Sequence, residues 1–435
     1  MGSPVKYLLA DISCQERLEK YGFYAVCLTL FLMPFPRSWS LWAMGAFLFF
    51  GLNIWLKQIN RVAGAFRKKL WLILPPITYF LINFIWFLFN PEWTYIEDKL
   101  MFLLIPVFGF PIFISDYFAE KSAKAFRAFV FGIAVICIFN LIRAVWNSLS
   151  FAEGHISFNS MIDFSISATS GDYFSAVSRF RSAQLSLFEH PVYFSIKAIF
   201  AIVLIIEFRD SLKISNPVRL ILISLLIVSV FLLSSRVGYI ILTIILIYYI
   251  SKLFSRLKVK WIIIPFIPVL ILCAYKISIL NPRIREKSDL LLNNIRNGGG
   301  DLKKIDPRFL SWFTASELIG KNPVIGLGPD VRDILASEYE KNGYLNEARM
   351  RLNAHNQFLE TQLSYGIPGT LILFWMLLTL LLNRKKISNP DLVVPFLIIV
   401  SVCMLFESIL VRQWGIMFFV LFYCILSMPE KKSAT

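Results

Sequence analysis

The sequence predicts an all-α, polytopic integral membrane protein with about twelve transmembrane helices and a large helical external loop. Three observations predict it. Of the 435 residues, 57% are hydrophobic, 41 of them Phe, and only 17% are charged. A soluble domain of this length cannot hide so much apolar surface, whereas lipid covers the outer faces of spanning helices. Apolar runs of near twenty residues recur along the chain, each able at 1.5 Å per residue to cross about 30 Å of hydrocarbon. The basic excess, Lys+Arg 44 against Asp+Glu 28 for a formal charge of +16, sits in short clusters between those runs. Membrane orientation explains that placement better than nucleic-acid binding does, and no nucleic-acid partner is expected.

In order, the runs lie at about 21–36, 39–56, 70–89, 99–116, 128–147, 190–208, 219–234, 237–251, 261–280, 367–383, 392–411 and 413–428. The first twenty residues carry Asp11, Glu16 and Glu19 and have no cleavage-site pattern, so they read as a cytoplasmic lead-in. Clusters such as Arg67-Lys68-Lys69 and Arg384-Lys385-Lys386 alternate with loops holding only Arg37, Lys99 or Arg412, which places the clusters and both termini inside. The six cysteines fall in the lead-in or in spans, so no disulfide framework is expected. One integral domain, 1–435, then carries two long external segments, at about 148–189 and 281–366.

This topology puts His155, His190 and His355, all the histidines of the chain, on the outer side. Arg236, in Ser234-Ser235-Arg236-Val237-Gly238, is the vertex between two runs of about 15 residues, each reaching roughly 22 Å. It therefore lies near the outer headgroup level, as a functional cation or as one snorkelling to a lipid phosphate. In Asp306-Pro307-Arg308, Asp306 is placed to cap a helix begun by Pro307, and Arg308 either pairs with Asp306 or Glu317 or meets a ligand. The Gly326-Leu327-Gly328 stretch reads as a turn more than as a phosphate cradle. In the first long segment, Ser178-Arg179-Phe180-Arg181 precedes Glu189-His190-Pro191; basic residues among aromatics suit a sugar-phosphate, or a solvated face. Arg143, Lys197, Lys276 and Glu407 fall toward the outer ends of their spans, leaving the midplane nearly free of charge, which weighs against an ion-coupled carrier.

The densest motif is Asn353-Ala354-His355-Asn356, followed after nine residues by Gly366-Ile367-Pro368-Gly369 where the chain re-enters an apolar run. It sets an imidazole at a lipid–water boundary, as a reacting group or as the cap of a loop helix. Together, Ser-Ser-Arg-x-Gly at a span junction, the Arg308–Trp312 helix leading to Asn322-Pro323-x-x-Gly326-x-Gly328, and His355-Asn356-x9-Gly366-x-x-Gly369 resemble the O-antigen ligase/polymerase superfamily of bacterial membrane glycosyltransferases. The His-Asn-x9-Gly-x-x-Gly spacing is most similar to the lipopolysaccharide O-antigen ligases.

The resemblance implies transfer of a glycan from an undecaprenyl-diphosphate carrier to a sugar of lipid A–core, at the periplasmic face of the inner membrane. It makes the 281–366 loop a periplasmic one. Such a reaction must stabilise a departing diphosphate and take a proton from the acceptor hydroxyl. The chain has no Asp-x-Asp to hold a metal, and no cofactor is expected. Arginine can bind phosphate oxygens bidentately instead, which assigns Arg236 and Arg308 to the diphosphate. His355 becomes the general base, since an imidazole titrates near pH 6.5. His190, Arg181 and Asn356 are the further substrate-binding candidates. Direct attack without a covalent sugar intermediate inverts the anomeric centre. A polymerase of lipid-linked repeats and a lipid-linked glycan flippase remain alternatives.

Overall fold

The computed structural model describes residues 4–89, 91, 96–152, 155–159, 161–162, 177–180, 185–256, 289, 292–293, 306–329 and 331–428. The run expected to span at 261–280, and Arg181, lie outside these residues.

Among the described residues, five helical stretches are long and apolar enough to cross a membrane. They are α2 (Arg37–Lys57), α3 (Ile59–Phe89), α6 (Asp116–Ser148), the Arg236–Leu253 part of α9 (Arg236–Arg256), and Gln357–Lys386, which contains α13 (Gln357–Asn383). Shorter apolar helices accompany them: α8 (Asn216–Leu232), α14 (Pro390–Phe406) and α15 (Gln413–Leu426). The lead-in is helical from Pro4, running through to Leu32 as α1.

Two expected spans end or break where the sequence pattern continues. The run at 99–116 divides into a 3-10 turn (Asp98–Leu100), α4 (Met101–Phe108) and α5 (Phe110–Phe113). Pro106 and Pro111 each remove a backbone donor there, with Gly109 between them. The run at 392–411 leaves the helix after Phe406, and Glu407 is extended (φ −148°, ψ 144°). The first long external segment contains two short antiparallel hairpins, β1 (Leu149–Ala152) with β2 (His155–Phe158) and β3 (Met161–Ile162) with β4 (Val177–Ser178).

The centre of the bundle is α7 (Pro191–Glu207), buried on every face from Pro191 to Ile205. A helix apolar all round belongs in an interior. Phe200 there stacks edge-on against Phe422 at 4.7 Å and against Phe418 and Phe396. One cation interrupts it: Lys197, with no exposed side chain, donates to Glu189 at 2.6 Å. An ammonium so placed requires that carboxylate, because an unpaired buried charge costs several kcal/mol, about 3–5 when one partner is removed.

Beyond the bundle, α10 (Pro307–Lys321), α11 (Val331–Lys341) and α12 (Leu345–Arg349) form a small layer. It has its own core of Leu310, Leu318, Val331, Leu335 and Tyr339, joined by Leu363 of α13. Asp306 caps α10 by accepting from the Arg308 N–H, with Pro307 in the first turn, as the sequence leads one to expect.

The layer is fastened to α13 at a break. Pro368 cannot donate to the Ser364 carbonyl, and Gly366 adopts φ 61° within the helix. The vacated groups pair with the Asn322–Gly328 loop: Leu327 N–H to Leu363 O at 2.8 Å, Gly328 N–H to Ser364 O at 2.9 Å, and Ile367 N–H to Val324 O at 3.1 Å. A side chain on Gly366 would meet the Val324 oxygen at 2.1 Å. The two glycine motifs are thus halves of one joint.

Candidate functional site

Where the layer meets the bundle, a cavity of about 760 Å³ opens. Tyr79 of α3, Lys99 of the 3-10 turn, His190, Arg332, the 353–365 stretch and the 411–414 turn contribute to its lining, and Glu407 joins them.

His355 is held by three contacts and a constrained backbone. It sits at φ 45°, a left-handed backbone that a non-glycine residue adopts at a cost of about 1–3 kcal/mol. Its N–H donates to Asn353 Oδ1 at 3.1 Å, and its carbonyl accepts from Trp312 Nε1 at 3.3 Å. Its ring Nδ1 lies 3.3 Å from Glu407 Oε2. The other oxygen, Oε1, accepts from Arg308 Nη2 at 3.0 Å. Glu407 occupies the break between α14 and α15. Burial raises its pKa, but the His355 hydrogen bond and charge and the Arg308 guanidinium outweigh burial and hold the carboxyl down at about 2. The carboxylate is therefore ionised throughout the neutral range. With Nδ1–H directed at Glu407, the Nε2 atom is the one left to accept a proton.

The same two turns are tied together a second time. Gln357 Oε1 accepts from the Leu410 N–H at 2.7 Å. Glu360 Oε2 accepts from the Ala354 N–H at 2.9 Å and from the Ser408 hydroxyl at 3.4 Å. The buried Lys99 ammonium donates to the Leu410 carbonyl. These bonds satisfy polar backbone that the helix ends leave open, and they set the 353–356 and 407–412 turns against each other.

The residues singled out in the sequence divide into groups. His355 and His190 both face the cavity. His190 also caps α7, accepting from the Val192 N–H, and burial lowers its pKa. Arg308 reaches the cavity only through Glu407, and Arg236 pairs with Asp306 at 2.7 Å; neither arginine lines the cavity. Asn356 turns its Oδ1 into α13 as the cap, accepting from the N–H groups of Phe358 and Leu359. Glu407, Lys99, Arg332 and Arg412 emerge as site residues only in three dimensions. The sequence signal for Glu407 was a carboxylate inside an apolar run; Arg412 and Lys99 looked like loop charges marking topology.

Two further polar atoms on the lining, Gln413 Oε1 and Trp414 Nε1, are buried without a hydrogen-bond partner among the described residues. Leaving such a group unsatisfied costs about 1–3 kcal/mol, which a polar ligand would recover. Among the described residues, no group of three His, Cys, Asp or Glu side chains is arranged to hold a metal.

Fold and cavity together define a helical, multi-pass membrane protein with a polar, cation-rich site at the junction of its apolar bundle and a small helical layer. Residues 221–374, from within α8 into α13, match the family model described as O-antigen ligase. That match, over a little more than a third of the chain, supports the O-antigen ligase/polymerase superfamily that the motifs resemble. No curated protein matches the chain.

Proposed function

We propose that this protein is an O-antigen ligase, transferring a glycan from an undecaprenyl-diphosphate carrier to a sugar of lipid A–core, with about twelve spans, both termini cytoplasmic and the cavity open to the periplasm. The observation that carries the reading is the Arg308–Glu407–His355 chain at the edge of a cation-rich cavity, with Arg308 and His355 inside the region that matches the family model and Glu407 beyond it. The acceptor hydroxyl oxygen attacks the anomeric carbon while its proton passes to Nε2 of His355. The bond from that carbon to the diphosphate oxygen breaks, and the lipid diphosphate leaves with the electron pair. Glu407 orients the ring and stabilises the imidazolium that forms; Arg308 holds Glu407, and Arg236 holds the cap of α10. Both arginines thus serve the diphosphate step by positioning. His190 and the 411–414 turn supply polar contacts to the sugars. One displacement at the anomeric carbon inverts it.

The test is incubation of purified protein with lipid-linked glycan and either lipid A–core or more lipid-linked glycan. Glycan joined to lipid A–core is the expected product. Elongated lipid-linked glycan would identify a polymerase, and movement across vesicles without product a carrier. The cations of the cavity take the role of a metal in this scheme, so transfer should persist in excess EDTA; loss on chelation with recovery by Mg²⁺ would overturn that part.

A further inference from the structure

The cations around the cavity are not equivalent. Arg37 pairs with Asp98 at 2.9 Å and Glu97 at 3.5 Å, and Arg351 pairs with Asp333. Arg332 and Arg412 also line the cavity, yet neither guanidinium makes a hydrogen bond or ion pair with any described residue. Arg332 is half-buried, so its guanidinium has lost part of its water without gaining a carboxylate contact among the described residues. Lys99 is buried, and its ammonium has one protein acceptor, the Leu410 carbonyl, leaving two N–H groups without one among the described residues. Lys99 and Arg332 lie within electrostatic reach of each other and of Glu360, which is in reach of His355.

We infer that Arg332, Arg412 and Lys99 form an anion subsite that binds the phosphate groups of the substrate, distinct from the Arg236 and Arg308 ion pairs. The charge balance favours a doubly charged ligand. Once the paired groups are set aside, these three cations face one carboxylate of the lining, Glu360, leaving two positive charges. A sugar–diphosphate–lipid carries two negative charges at neutral pH, one on each phosphate. Guanidinium forks suit phosphate oxygens, and a half-desolvated cation without a counter-ion gains most from one. The unpartnered Gln413 Oε1 and Trp414 Nε1 on the same lining suit hydroxyls of an attached sugar. This subsite rests on the proposed use of a lipid-diphosphate glycan; phosphate esters on the acceptor share the same chemistry.

The experiment uses the full chain in nanodiscs. Binding of a polyprenyl diphosphate without sugar is measured for the unmodified protein, Arg332→Gln, Arg412→Gln, the double variant and Lys99→Met, with Lys321→Gln, exposed and not on the cavity lining, as control. Each single arginine change should weaken binding about 10- to 100-fold, the loss expected for one charged hydrogen-bond partner, and the control should bind normally. In the transfer assay, donor KM should rise in the same proportion with little change in kcat. If donor binding and donor KM are unaffected but KM rises for a phosphorylated acceptor and not for the same acceptor after phosphatase treatment, the phosphate bound is the acceptor's and the subsite stands. If no phosphate-dependent parameter moves in the double variant, the subsite is refuted. Arg332 and Arg412 hold no described residue, so their replacement should leave the fold intact even where Lys99→Met does not accumulate. Because binding is read without turnover, a protein that binds polyprenyl diphosphate but transfers nothing would sink the transferase reading and keep the subsite.

Discussion

Arg236 and Arg308, on α9 and α10, each hold a carboxylate, at 2.7 Å and 3.0 Å, whereas Arg332 and Arg412 face the cavity and hold none among the described residues. Four arginines that look alike in a sequence thus do two different jobs. The first pair shapes the protein: one anchors the cap residue of α10, the other the carboxylate that orients His355. The second pair is available to a ligand. The difference lies in the acids nearby, not in the arginines, and those acids come from distant parts of the chain.

The comparison can be broken or sharpened by substitution. The largest effect should come from His355→Ala, where both groups of residues converge. Loss of a general base lowers kcat by about 10²–10⁴-fold, with donor binding retained. Near-normal turnover at normal protein level would make His355 structural.

Arg308→Ala should come next, with a loss of about 10–100-fold in kcat, comparable with removing a supporting partner from a ligand histidine. It frees Glu407 and lets the imidazole turn. The loss should appear in kcat and in the pH profile, while binding of sugar-free polyprenyl diphosphate stays within a few-fold, about the noise of a surface charge change. A purely binding deficit would return Arg308 to direct phosphate contact.

Stability gives a third measurement. Glu407 is held at about 2 in the folded protein, below its usual 4.5. A carboxyl depressed on folding stabilises the native state above its unfolded value, and that contribution fades as pH falls through the folded one. The difference in unfolding free energy between the unmodified protein and Glu407→Gln should be on the order of 3 kcal/mol at neutral pH. It should shrink as pH falls between about 4.5 and 2. A difference that grows on acidification through that window would contradict the assignment.

The smallest effect is expected from Arg236→Lys. The Nη2–Asp306 contact, at a side chain 38% exposed, can be made by an ammonium, so stability and turnover should change little. A collapse of activity would show that the planar fork is needed and would move Arg236 to the ligand-binding pair.

Much of the layout is legible in the residues. Composition and run length announce apolar helices, Asp306-Pro307 announces the start of α10, and the 353–356 motif marks the turn that carries His355. Other parts depend on tertiary packing. Nothing near Glu407 in the chain states that its partners lie 52 and 99 residues away. Hydropathy runs unbroken past Phe406, because it does not register that Glu407 and Leu410 have partners on α10 and α13. The loop and re-entry glycines are visible as separate motifs, but only the fold shows that one closes on the other.

That joint has a mechanical meaning. Bilayers vary in thickness, and a spanning helix answers a mismatch by tilting, at fractions of a kcal/mol per ångström. In an unbroken α13 the tilt would travel along the rod to the residues beside His355. Here the helix is broken at Gly366, and the Asn322–Gly328 loop holds the half ahead of the break at Leu363 and Ser364 and the apolar half only at its first residue, Ile367. The lipid-facing segment can follow its membrane while the imidazole keeps its aim, much as a flexible coupling isolates an instrument from the floor it stands on.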